Sequence, residues 1–197
     1  DGVRVDYTVW PVEIGARLSA QPELPDWLDS GYRILLDKDN LLADLPAPSC
    51  EAYVPAKPTQ KEFTAVVNEF FWETTCMAKN LWRKELLPAK YNMNVVVRFR
   101  CLLKMLNWYI QLRREWQHPQ AKLGKGLQGL LTPEEWRELE ATFCGAEIKA
   151  NWEALFKTIA FFRKMALAVA GDLKLSYPWE LDKGVVDYLQ TIRQTPG

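Results

Sequence analysis

A carboxylate stands in the middle of an alternating segment near the start of the chain. In DGVRVDYTVWP, Val3, Val5, Tyr7 and Val9 fall on one side of a strand, and Arg4, Asp6, Thr8 and Trp10 on the other. Opposite a valine face, Asp6 either meets water or binds a cation. A strand is a rigid platform for a metal ligand. Magnesium takes one or two carboxylates and lets substrate phosphates complete its shell. A single Asp does not make such a site, so this reading requires partner carboxylates.

A second set lies in the segment KEFTAVVNEFFWETTCMAKNLWRKELL. Glu69, Glu73, Asn80 and Arg83 recur at steps of one or two helical turns, flanked by Trp72 and Lys79. Two readings stay open. One is a solvated face whose charges are balanced by nearby cations. The other is a polar wall along a cleft. There, Glu69 and Glu73 would pair with amines or guanidines, and the Trp72 indole would pack on a ring or cation. Lys79 and Arg83 would instead suit phosphate oxygens.

Other segments carry less chemistry. LGKGLQGLL lacks the G-x-x-x-x-G-K-[ST] spacing of a phosphate loop and follows no strand. It reads as an interhelical loop, with Lys122 or Lys125 as a minor ligand contact. Cys50, Cys76, Cys101 and Cys144 show no C-x-x-C spacing, and His118 is the lone histidine. These read as reduced thiols rather than a zinc site.

The elements that must position these residues follow from periodicity and breakers. VRVDYTVW and YRILLDKD read as strands, with EIGARL between them as a short helix. Residues 46–60 contain Pro46, Pro48, Pro55 and Pro58, an extended, stiff linker. From residue 61 the pattern is helical. Pro88 breaks the first helix, and a second runs from Met93 to Trp116. Thr132-Pro133-Glu134-Glu135 opens a third with a capping box, which ends near Gly145. A fourth covers 150–170 and stops at Gly171, and a short fifth covers 183–194. The expected fold class is α+β but mainly α: the edge of a mixed sheet (1–45), a linker (46–60) and a five-helix bundle (61–197).

Lysines and arginines total 25, as do acidic residues. Residues 1–60 are acidic and the remainder mildly basic, which argues against a nucleic-acid-binding face. No apolar run is long enough to span a membrane and no signal peptide is visible, so a cytoplasmic protein is expected.

Taken in order, RVDYTVWP, RILLDKD, the proline linker, NEFFWETTCMAKNLWRKELLPAK, LLKMLNWYI, GK and TPEEWREL resemble the streptomycin (aminoglycoside 6-) adenylyltransferases of the nucleotidyltransferase superfamily. The resemblance covers essentially all 197 residues. It implies a mixed-sheet catalytic domain followed by a helical substrate-binding bundle. It also implies AMP transfer from ATP to a drug hydroxyl, with Mg²⁺ as cofactor and antibiotic resistance as the consequence. The family's signature is a Gly-Ser turn, an Asp-x-Asp pair and a third Asp on a later strand, and Asp6 matches that third Asp. The resemblance thus makes Asp6 a catalytic metal carboxylate. It gives Glu69, Trp72 and Glu73 to the acceptor and Lys79 and Arg83 to the nucleotide. No Gly-Ser turn or Asp-x-Asp pair stands ahead of Asp6 in the sequence, where the family's order would put them. The chain is therefore expected to be a C-terminal part, inactive alone. Two competing expectations are a related enzyme with another small hydroxyl acceptor and a non-catalytic helical binding module.

Overall fold

The computed structural model describes residues 2, 4–120 and 122–195. It divides into two compact units, one ending at Val54 and one starting at Pro55.

In the first unit, helix α1 (Val12–Ser19) follows Pro11, and Leu18 is its buried residue. A single turn, α2 (Asp26–Asp29), comes next. Asp29 is buried and does local work: its carboxylate accepts from the Ser49 amide at 2.6 Å and the Ser49 hydroxyl at 2.8 Å. The Cys50 amide donates to the Asp29 carbonyl, and the Tyr53 hydroxyl to that of Asp26. These bonds pin residues 49–53 onto α2.

Neither expected strand forms, and the described residues contain no sheet. Val3 lies outside them. Residues 4–10 form no regular element, and Tyr7 and Val9, on the alternating apolar side, are 89% and 92% exposed. In YRILLDKD, Leu35 and Leu36 are exposed, and the Asp37 carboxylate accepts from the amides of Leu41 and Leu42, closing a turn. Alternation only makes a segment competent for a sheet. A strand exists when a neighbour completes the ladder of N–H and C=O bonds, and here none does.

The second unit is helical. α3 (Gln60–Trp82) starts in a capping box, with Thr59 accepting from the Glu62 amide while Glu62 accepts from Thr59. Its apolar face, Phe63, Val66, Val67, Phe70, Phe71, Met77 and Leu81, is fully buried. α4 (Leu86–Tyr91) runs into a wide, π-helical stretch (Asn92–Leu102) and then into α5 (Leu103–Leu112). Pro88 therefore does not interrupt a helix; it occupies the first turn of α4, where its missing N–H costs nothing. The break is upstream, where Lys84 is left-handed (φ 61°). The Glu85 amide closes back on the Asn80 carbonyl at 2.8 Å.

α6 (Pro133–Glu140) carries the second capping box, Thr132 with Glu135, and ends before the expected Gly145. α7 (Ile148–Leu173) runs through Gly171 and stops at left-handed Lys174. α8 (Trp179–Gln194) starts a turn earlier than its periodicity suggested. The core centres on α3, α5 and α7, with Phe70 and Phe162 stacked at 3.7 Å between ring centres. Tyr177 and Arg163 both donate to the buried carboxylate of Asp182, tying α7 to α8.

Candidate substrate-binding seam

Of the residues singled out from the sequence, Glu69, Trp72, Glu73, Lys79 and Asn80 lie on α3, and Arg83 is its C-cap. Glu69, Glu73, Cys76, Asn80 and Arg83 succeed each other at steps of four, three, four and three, so one helical face carries them over about 21 Å. Trp72 and Lys79 form its shoulder. Asp6 belongs to the first unit.

The face splits by depth. Glu69, Lys79 and Arg83 are exposed, and Glu73 and Asn80 are half-buried. Trp72 leaves 68% of its surface open, enough for its indole to cover a ligand. The half-buried members are joined across to the π-helical stretch. The Asn92 side-chain amide donates to Glu73 Oε2 at 2.7 Å, and Asn92 Oδ1 accepts from the Asn80 amide at 3.0 Å. Asn92 thus holds Glu73 in place, and as a neutral partner it leaves the negative charge uncompensated.

Buried Cys101 sits on the π-helical stretch. Its thiol is pushed up to about 12, first by burial and then by the charges of Glu69 and Glu73, with Arg100 and Lys104 pulling the other way. Both carboxylates therefore bear on one buried point of the π-helical stretch. Neither makes an ion pair among the described residues; the acidic partners paired there are Asp6, Glu135, Glu138 and Asp182. Two unpaired carboxylates beside an open indole suit a polycationic, ring-bearing ligand.

Lys79 and Arg83 likewise have no protein anion among the described residues. Asp6 is solvent-exposed and accepts from Arg4 Nε at 2.9 Å. Among the described residues no three His, Cys, Asp or Glu side chains converge as a metal site. These residues therefore do not by themselves fit a magnesium ion.

The sequence reading names Cys101 only as a reduced thiol and misses Asn92, Arg100 and Lys104. Asn92 acts on partners 12 and 19 residues away, across a wide turn that local periodicity does not announce. Wide turns of this kind recur at functional sites. No helix in the described residues is long and apolar enough to cross a membrane.

The family model for streptomycin adenylyltransferase matches residues 1–192. The chain is 31% identical over 195 residues to the aminoglycoside 6-adenylyltransferase of Bacillus subtilis (strain 168), covering 98% of this chain and 65% of that protein. It is 34% identical over 194 residues to the aminoglycoside 6-adenylyltransferase of Campylobacter jejuni, covering 98% and 64%. The chain thus spans just under two thirds of these relatives' length. A crystal structure of an aminoglycoside 6-adenyltransferase from Bacillus subtilis superposes with a TM-score of 0.66 at 33% identity, covering 71% of this chain and 52% of that one. On the match over residues 1–192, the chain belongs to the streptomycin adenylyltransferase family.

Proposed function

We propose that the protein serves transfer of AMP from ATP to a hydroxyl of an aminoglycoside, streptomycin first, and so confers resistance to the drug. The observation that supports this most is the acidic seam: Glu73 held by neutral Asn92, with Glu69 beside it and Trp72 open to solvent. Aminoglycosides and streptomycin carry amines or guanidines on sugar-like rings. The two carboxylates would neutralise the cations, and the indole would cover a ring face.

In the reaction, the acceptor hydroxyl oxygen attacks the α-phosphorus of ATP and gives up its proton to water. The bond to the bridging oxygen breaks, and pyrophosphate leaves. What this chain's residues supply is positioning. Glu69, Glu73 and Trp72 hold the acceptor, and Lys79 and Arg83, further along α3, take phosphate oxygens. Asp6 is assigned to the catalytic centre by its place in the family's strand motif. Magnesium belongs to that assignment, but the described residues do not assemble its site and no step is drawn through it. In this reading the mixed sheet of a nucleotidyltransferase domain would give residues 4–10 the pairing they lack here. ATP places the reaction in the cytoplasm.

The test is an acceptor screen. The full-length gene product is incubated with ATP, Mg²⁺ and a panel of aminoglycosides, and products are read by mass. An AMP adduct of streptomycin is expected. Pyrophosphate release without any drug adduct would overturn the acceptor assignment and point to another small hydroxyl compound. An intact fold with no turnover would point to a helical binding module.

A further inference from the structure

Arg98 is a buried cation without an anion. It is only 6% exposed, yet no Asp or Glu pairs with it among the described residues. Its guanidinium donates to the Asn94 side chain and to the Thr142 carbonyl at 2.8 Å, and stacks on Phe143 at 3.8 Å. Its Nε is buried and makes no hydrogen bond. A second cation, Lys90, lies nearby, donating to the Cys144 carbonyl at 2.9 Å. Burial of a charge is costly unless something compensates it.

Two cavities meet at this arginine. One, of about 230 Å³, is lined by Lys90, Asn94, Arg98 and Thr142. The other, of about 190 Å³, is walled by Leu106, Leu127, Trp136 and Leu139, with exposed Leu123 among its lining residues. Arg98, Phe99 and Phe143 belong to both. Together they fall at the small end of the roughly 300–1,000 Å³ typical of small-molecule pockets, apolar walls with a few convergent polar groups. Neither cavity is lined by a residue of the acidic seam.

We infer that this is a binding site for a small amphipathic anion, with a carboxylate or phosphate head between Lys90 and Arg98 and an apolar body against Leu106, Leu127 and Trp136. The apolar cavity alone would take any oily molecule. The uncompensated arginine that lines it selects one with a negative head.

Calorimetry with three probes of equal chain length, octanoate, octanol and octylamine, tests this on the whole chain, with octyl phosphate and inorganic phosphate alongside. Octanoate or octyl phosphate should bind at least about tenfold more tightly than octanol, the worth of one charge-assisted hydrogen bond. Octylamine should not compete. Binding by the carboxylate but not the phosphate, or the reverse, would identify the head group. Arg98→Gln should remove the preference for the anion while leaving octanol binding intact. Because Arg98 also ties residue 142 to the π-helical stretch, the exposed Leu123→Asp provides a second variant that spares the buried network. It should weaken octanoate by about tenfold or more with an unchanged melting temperature. Equal binding of octanol and octanoate, tight binding of octylamine, inorganic phosphate binding as tightly as octyl phosphate, or no heat with any probe would overturn the assignment.

Discussion

Asn92 and Glu73, nineteen residues apart, meet at 2.7 Å across the seam between α3 and the π-helical stretch. The bond fixes a carboxylate without neutralising it. Asn92→Ala should therefore act on ligand binding more than on the fold. Loss of one hydrogen bond to a charged group is worth about 1.5–3 kcal/mol at most, less where water replaces it. The expected result is a melting temperature lowered by a few degrees and streptomycin binding weakened several-fold. Asn92→Asp should do worse on the fold, because two carboxylates would then face each other. Thermal melts and calorimetry on both variants check this order.

Glu135 is a carboxylate tuned by its neighbours. Burial pushes its pKa up, but the Tyr109 hydroxyl, the Thr132 amide and the Arg113 guanidinium outweigh burial and hold it at about 2. A carboxyl with a folded pKa below its unfolded one stabilises the protein above the unfolded value. That stabilisation is lost as pH falls from about 4.5 to about 2, and it amounts to about 3 kcal/mol. Denaturant titrations at stepped pH should show wild type losing its advantage over Glu135→Gln through this window. A constant difference between the two would contradict the assignment.

Lys84 pays for its place at the end of α3. Its left-handed backbone (φ 61°) satisfies the Leu81 and Asn80 carbonyls through the amides of Lys84 and Glu85. An L-residue there costs about 1–2 kcal/mol relative to glycine's freedom. Lys84→Gly should therefore raise stability by about 1 kcal/mol, part of the gain being offset by the more flexible unfolded chain. A destabilised variant would show that the lysine side chain does more than its exposure suggests.

Much of the helical unit was legible because its signals are local. Thr59 with Glu62 and Thr132 with Glu135 are capping boxes visible in four residues each, and the apolar rows of α3 and α7 repeat at helical steps. The acidic stripe was legible for the same reason, since Glu69, Trp72 and Glu73 need only one helix to share a face. Two features were not. Residues 4–10 alternate like a strand, but pairing is a property of a neighbour, not of the segment. Pro88 looked like a breaker because proline ends helices from inside and is tolerated in a first turn. Which case applies depended on the backbone reversal at Lys84, which carries no glycine to announce it. Asn92 could not be found from spacing at all.

Among the described residues Asp6 has no side-chain partner but Arg4, and its proposed role rests on the resemblance of RVDYTVWP to the family's strand motif. Asp6→Asn in the full-length gene product should abolish AMP transfer while leaving thermal stability unchanged, as expected of an exposed side chain. Near-normal turnover would remove Asp6 from the chemistry.

The central claim, that the α3 seam holds the acceptor at Glu69 and Glu73 and the nucleotide further along at Lys79, is tested most directly by steady-state kinetics of AMP transfer. Glu73→Gln should raise KM for streptomycin about tenfold with KM for ATP unchanged, as expected for loss of one charged contact. Lys79→Gln should do the reverse. If Glu73→Gln leaves KM for the drug untouched, or if both variants shift the same substrate, the acidic seam is not the acceptor site.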